Sequence, residues 1–275
     1  MSDEPTSGRA EPPNGRSDAG IDARAMLMSN DRARRLRRFW RAIPGAPRCK
    51  ICTSPFGPPI GPALRLIGKG RWAGNPAYCA GCFKDLYRLR AGAEVECTMF
   101  FADVRGSTAL AEKVSVADFR ALLDRFYATA AEVLVRHEAI VDKFVGDEVV
   151  AIFVPALAGR AHSEQAIKAG IALLRATGHE GSPWIPIGVG IHAGIAYVGA
   201  VGPAEHVEFT ALGDAVNVAA RLASAAGSGE LLVTEATLAA TGFDAGQLER
   251  RALRLRGKSV ATDTYVMNAG NPAGM

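Results

Sequence analysis

The sequence predicts an α+β fold, with helices covering one face of a mainly antiparallel sheet, preceded by a small module stapled by four cysteines. Three observations carry this reading. From Glu94 to about Met267, short apolar runs of strand character alternate with longer stretches whose apolar residues recur every three to four positions. Between Arg48 and about Leu89, two C-x-x-C pairs stand among Gly and Pro, with too few apolar residues to fold without a staple. The composition, 48% apolar and 22% charged over 275 residues, is that of an ordinary globular chain with room for one sizeable domain and an appendage.

In chain order, residues 1–24 are rich in Pro, Gly, Ser and Asp and are expected to form a disordered tail. Residues 25–47 are expected to form a basic amphipathic helix, with Leu36, Phe39, Trp40 and Ile43 on one stripe and an end at Pro44. The cysteine module spans 48–92 and the α+β domain 93–270. Within the latter, VECTMFFADV is a buried strand and Ser115 starts a helix. That helix has Phe119, Leu122, Leu123, Phe126, Tyr127, Ala130, Val133 and Leu134 on its apolar face. AIVDKFVGDEVVAIF is a hairpin turning at Gly146-Asp147, followed by a helix at 160–177. WIPIGVGIHAGIAYVGAVG is expected to be a pair of glycine-spaced strands, whose glycines mark a bulge or close packing and whose His192 is a hydrogen-bonded core or interface residue. A helix from Ala215 to Ala225 and strands near 231, 250 and 264 complete the domain.

No apolar run reaches the length that spans a bilayer, and the N-terminal residues lack the apolar core of a signal peptide, so a cytoplasmic location is expected. The net charge of +4 is concentrated in Arg32, Arg34, Arg35, Arg37, Arg38 and Arg41. This stretch reads as a solvated or partner-docking helix, with weak contact to a membrane surface as the lesser alternative and no specific nucleic-acid partner. Cys97, in an apolar strand, reads as a small buried hydrophobe.

Three motifs carry chemistry. F-A-D-V-R-G-S-T at 101–108 puts Asp103 at a strand end before a turn into a helix, offering hard oxygens to Mg²⁺ or Mn²⁺ and backbone N–H groups to phosphate. K-F-V-G-D at 143–147 puts Asp147 at a hairpin turn beside a glycine. Singly, each is an ordinary cap or turn aspartate. Together, on neighbouring strands, they form the arrangement that holds two cations, as polymerases and nucleases also do. In T-A-L-G-D-A-V-N-V-A-A-R at 210–221, Asn217 and Arg221 stand four apart on one helix face.

In order and spacing the three motifs resemble the catalytic domain of class III adenylyl and guanylyl cyclases, over about Glu96 to Val266. The resemblance implies a ferredoxin-like βαββαβ core that works as a homodimer with shared sites, converting ATP to 3′,5′-cyclic AMP and pyrophosphate. It implies that Asp103 and Asp147, with Val104, bind two Mg²⁺ or Mn²⁺ per site. Asn217 would orient the ribose and Arg221 would stabilise the transition state, both from the partner chain. Gly106, Ser107 and Thr108 would cradle the triphosphate, and Arg256 or Lys258 would reach its terminal phosphates. Lys143 matches the lysine that donates to purine N1 in adenylyl cyclases. Thr210 stands where many of these enzymes have Asp, as in the subgroup associated with bicarbonate stimulation; its hydroxyl accepts from the adenine amino group more weakly than a carboxylate would.

Cys49-x2-Cys52 and Cys79-x2-Cys82 have the two-knuckle form of a tetrathiolate site, with structural Zn²⁺ the first choice over an iron–sulfur cluster or a redox pair. Two other functions compete. VGDEVVAIF superficially resembles the signature hairpin of diguanylate cyclases but lacks the glycine pair. A catalytically silent nucleotide-binding regulatory module is the second, against which every position needed for metal, ribose and transition state is filled. A guanylate cyclase remains the nearest alternative within the resemblance.

Overall fold

The computed structural model describes residues 23–72, 76–89, 92–202, 207–254 and 261–270; the expected tail therefore lies almost wholly outside the described residues, as do Arg256 and Lys258. Two helices, α1 (Ala23–Met28) and α2 (Asp31–Ala42), stand where one was expected. The break is at Asn30, whose non-helical backbone (φ −150°, ψ 75°) ends one helix and whose side chain accepts from Ala33 N at 2.9 Å to cap the next. α2 stops at Ile43, extended as the residue before a proline must be. The short helix α3 (Gly61–Leu64), with a 3₁₀ turn after it, and α4 (Ala80–Leu89) complete the cysteine module.

The larger domain follows as β1 (Ala93–Val104), α5 (Ser107–Ala111), α6 (Val116–Arg136), β2 (Ile140–Val145), β3 (Glu148–Phe153), α7 (Pro155–Ala158) and α8 (His162–Ala176). Then come β4 (Ile187–Val201), β5 (Glu208–Leu212), α9 (Asp214–Ala225), β6 (Leu231–Thr234), α10 (Glu235–Ala239), β7 (Glu249–Leu253) and β8 (Thr262–Met267). The eight described strands form one sheet in the order β2-β3-β1-β4-β6-β8-β7, with β5 paired to β4. All pairings are antiparallel except β4 with β6. β1-α6-β2-β3-α8-β4 is the expected βαββαβ core, and its first four neighbouring strands keep the ferredoxin-like order.

Ser115 caps α6 by accepting from Asp118 N at 3.1 Å while its hydroxyl donates to Asp118 Oδ2 at 2.7 Å. The Gly146 turn of the β2–β3 hairpin has φ +60°, a conformation glycine adopts without strain. β4 differs from expectation. It is one unbroken strand, paired with β1 from Ile187 to Val198 and with β5 from Tyr197 to Val201. Its glycines clear room rather than end a strand: a Cβ at Gly190 would lie 2.2 Å from Ala223 N and 2.4 Å from Ala219 O of α9.

β1 is apolar on both faces because both are covered. Phe100, Ala102 and Val104 enter the core under α6 and α8 with Phe126, Leu134, Ile167 and Leu174. Val95, Cys97, Met99 and Phe101 face the other way and pack with Ala215, Ala219 and Ala223 of α9 and with Tyr78 of the cysteine module. Helices thus lie on both faces of the sheet, not one. A fully buried large apolar side chain contributes about 1.5–3 kcal/mol, so each layer is strongly held. Burial pushes the Cys97 thiol up to about 12, as expected of a buried hydrophobe.

The arginine-rich helix docks on this domain. Arg37 is 2% exposed and donates to Ile51 O at 2.6 Å and Ala139 O at 2.7 Å; burial lowers its guanidinium to about 10 despite Glu138 nearby. Arg41 donates to Val135 O at 2.7 Å, and Arg38 and Arg41 lie 3.2 and 3.3 Å from Glu138. These cations sit at the carbonyl end of α6, where its dipole favours them. Arg37→Ala would strand the buried Ala139 carbonyl and the partly buried Ile51 carbonyl and open a cavity; a loss of about 3–5 kcal/mol in denaturant unfolding is expected. Gly190→Ala forces α9 off β4 and is expected to cost about 1–3 kcal/mol in the same measurement.

Candidate active site

Side chains alternate along β1, so the face carrying Val95, Cys97, Met99 and Phe101 also carries Asp103. Asp103 pairs in register with Glu148 of β3, and Asp147 precedes Glu148 in the turn. Val104 N donates to Asp147 O at 3.2 Å, tying the end of β1 to that turn. Tyr127 of α6 holds the turn from outside, donating to Gly146 O and packing on Phe144 with ring centroids 4.6 Å apart. Asp103, Val104 and Asp147 are therefore brought to one sheet end, as expected. Gly106 is the left-handed N-cap of α5, and Ser107 and Thr108 form its first turn beside them.

Arg105 had not been singled out from the sequence. Its guanidinium forms an ion pair with Asp103 Oδ2 and donates to Ser224 O at 3.0 Å, so it bridges the acids to the end of α9. Burial lowers its affinity for the proton, against the pull of Asp147 and Glu148. Burial and then Asp147 raise the Glu148 carboxyl above its usual range, with Arg105 opposing. The site therefore gathers three acids and one cation. Two carboxylates and a backbone carbonyl are the hard-oxygen donors that Mg²⁺ or Mn²⁺ prefers, and Arg105 shows that a positive group already fits against Asp103.

Asn217 and Arg221 share the side of α9 opposite Ala215, Ala219 and Ala223, which face the sheet. Asn217 is exposed and Arg221 half-buried, so both point away from their own core. Lys143 and Thr210, far apart in sequence, meet around a residue the sequence reading passed over. Thr210 donates to Asp142 Oδ2 at 2.6 Å, and Lys143 Nζ lies 3.8 Å from the same oxygen. A register shift between Val141 and Lys143 accompanies this arrangement. The only sequence signal for Asp142 was an acid beside Lys143 in an otherwise apolar strand. Half-buried His192 has its Nδ1 2.9 Å from Thr234 Oγ1, in keeping with a hydrogen-bonded core or interface histidine.

With that geometry in place, residues 90–269 match the adenylate and guanylate cyclase catalytic domain. The chain belongs to this family. It is 33% identical over 179 residues, 61% of this chain and 8% of the relative, to the terminal-differentiation-specific adenylate cyclase of Dictyostelium discoideum. It is 34% identical over 140 residues, 48% of this chain and 21% of the relative, to adenylate cyclase 1 of Rhizobium meliloti. Among solved structures, the adenylyl cyclase CyaB from P. aeruginosa superposes with a TM-score of 0.56 at 27% identity, covering 64% of this chain and 96% of that one. The chain spans well under two thirds of the length of the curated relatives it matches. No helix among the described residues is long and apolar enough to cross a membrane.

The four remaining cysteines of this cyclase-family chain form a second centre. Cys49, Cys52, Cys79 and Cys82 are buried, with all four Sγ atoms within 4.8 Å of one another and Cys52 Sγ 3.7 Å from Cys79 Sγ. Four thiolates around a tetrahedral metal at 2.3 Å would stand about 3.8 Å apart, so the cluster fits such an ion. Cys79 N approaches Cys49 Sγ at 3.3 Å and Cys82 N approaches Cys79 Sγ at 3.4 Å, donors that favour thiolate sulfur. Cys79→Ser is expected to lower the metal content per chain by elemental analysis and to lower the unfolding temperature. Equal metal content in the two proteins would show that the cluster is no metal site.

Proposed function

We propose that the chain is an adenylate cyclase that converts ATP to 3′,5′-cyclic AMP and pyrophosphate at sites shared between two copies. The observation that carries this reading is the split in the geometry. Asp103 and Asp147 lie at one sheet end, while Asn217 and Arg221 point outward from α9, away from their own core. A second copy completes the site by presenting its α9 face to the acids of the first. The exposed apolar Ile195 and Leu212, beside α9 on β4 and β5, support this as a self-association surface.

In this reading Asp103 and Asp147, with the Val104 carbonyl, hold two Mg²⁺ or Mn²⁺. The cations supply charge neutralisation at the triphosphate and acidify the ribose 3′-hydroxyl. Arg105 must leave Asp103 to admit them, and its bond to Ser224 O gives it a second anchor. The chain's own work is positioning. Gly106, Ser107 and Thr108 present backbone N–H groups to the triphosphate, Asn217 orients the ribose, and Arg221 meets charge that develops on the α-phosphate in line with departing pyrophosphate. Lys143 donates to purine N1 and Thr210 accepts from the 6-amino group, which favours ATP over GTP; their meeting at Asp142 supports a common task. The cysteine cluster holds structural Zn²⁺, since four thiolates leave no open position for catalysis.

Incubation of purified protein with ATP or GTP and Mg²⁺ or Mn²⁺ is expected to yield cyclic AMP in preference to cyclic GTP-derived product, identified by chromatography. Asp103→Ala and Arg221→Ala should each lose at least about 100-fold in rate, and mixing them should restore part of it through hybrid sites. Folded, dimeric mutants that fail to complement on mixing would overturn the shared site.

A further inference from the structure

Both cysteine knuckles reach the strand that carries Thr210. Lys50, between Cys49 and Cys52, extends its ammonium into the sheet, where it donates to the backbone carbonyl of Asp142, to Asp142 Oδ1 at 2.9 Å and to Phe209 O at 3.2 Å. Tyr78, preceding Cys79, is 1% exposed and accepts from Phe209 N at 3.1 Å through its hydroxyl. Lys50 also lies 5.8 Å from the centre of the Tyr78 ring, and its own amide donates to Ala77 O at 2.8 Å. The two knuckles thus converge on Phe209 and, through Lys50, on Asp142. The side chains of Lys50 and Asp142 are 11% and 2% exposed, so this ion pair is shielded from water.

We infer that Asp142, held by Lys50, is a positioning residue that fixes Thr210 as a hydrogen-bond acceptor and so selects a purine bearing a 6-amino group. The inference rests on the assignment of Thr210 to base recognition above. A threonine hydroxyl has one proton and can serve either as donor or as acceptor. An ionised carboxylate only accepts, and Asp142 Oδ2 takes the Thr210 proton at 2.6 Å. What remains on the Thr210 oxygen is lone pairs. These match the amino group of adenine and oppose the 6-oxo group of guanine, which also presents lone pairs. Lys50 donates to the other carboxylate oxygen at 2.9 Å, so the buried acid is not left as an unpaired charge, which would be costly. The uncharged threonine thereby gains the one-way polarity that a carboxylate would have at this position. Ile51 and Cys52, next to Lys50, keep it in the folded knuckle rather than on a free loop.

The test uses the full chain, wild type and with Asp142→Ala, Lys50→Met and Thr210→Ala. The preference for ATP over GTP is read as the ratio of kcat/KM values and, independently of turnover, as the ratio of dissociation constants. Asp142→Ala frees the hydroxyl to donate to guanine, and the preference is expected to fall roughly 3- to 10-fold, the effect of one neutral hydrogen bond, with the loss carried by KM more than by kcat. Lys50→Met should move the ratio in the same direction. Combined with Thr210→Ala, Asp142→Ala should add no further change. Should Asp142→Ala prove unstable, Lys50→Met with Asp142→Leu removes both buried charges together and should shift the ratio equally. A preference unmoved in folded Asp142 variants, while Thr210→Ala moves it, overturns the inference alone. A preference unmoved by Thr210→Ala overturns the base-recognition reading and this inference with it. Altered binding ratios without any cyclic product would support the inference while refuting the cyclase reaction.

Discussion

β1 is hydrogen-bonded to β4 along its whole length and to β3 from Thr98 to Asp103, and its side chains alternate between two dry cores. A strand so placed cannot slip, because a shift of one residue would turn Phe100 and Phe101 to the wrong layers and carry Asp103 to the far face. The β3 pairing places the Gly146-Asp147 turn beside it, and the β4 pairing sets the strand against which α9 packs. Thus the two acids and the helix bearing Asn217 and Arg221 all take their positions from the register of one strand. The small residues of α9 and Gly190 of β4 convert that register into close approach.

The N-terminal elements belong to the same mechanical unit. α2 is clamped to the end of α6 by Arg37, Arg38 and Arg41 around Glu138, while the cysteine knuckles grip β2 and β5 through Lys50 and Tyr78. Buried guanidinium and ammonium groups are costly to desolvate, and here carbonyl oxygens and two acids offset that cost. The result is directional. Such charges tolerate few alternative arrangements, so they fix where the module sits more than they add to stability.

Much of this was legible in the sequence because the signals were local. Ser115 with Asp118, the apolar face of α6, the Gly146 turn and the paired C-x-x-C knuckles each depend on residues a few positions apart, and the structure contains all of them. What escaped depended on distant partners. The arginine stretch read as a solvated or partner-docking helix, and its docking onto this same domain was hidden because the acceptors of Arg37, Arg38 and Arg41, which are Glu138 and the carbonyls of Val135 and Ala139, lie some hundred residues on. The second layer of helices could not be seen in β4, where glycine spacing reads as interruption unless the backbone of α9 is known to press against it. Asp142 and Lys50 were hidden for the same reason, each ordinary until the other is brought to it. Asp103, Asp147, Asn217 and Arg221 could be placed on their elements from the sequence because order and spacing, not contact, announce the motifs that carry them.

The ion pair between Arg105 and Asp103 separates two events that metalloproteins often combine. An internal cation here offsets repulsion among Asp103, Asp147 and Glu148, so under the proposed mechanism the acids would stand together before any divalent ion arrives with the nucleotide. The cysteine cluster is built on the opposite plan. Its four sulfurs crowd within 4.8 Å in a segment with little apolar core of its own, so if the cluster takes the proposed ion, ordering that segment and capturing the ion would be one process. On the proposed function, one chain would respond to metal supply on two clocks, once at its birth and again at every turnover.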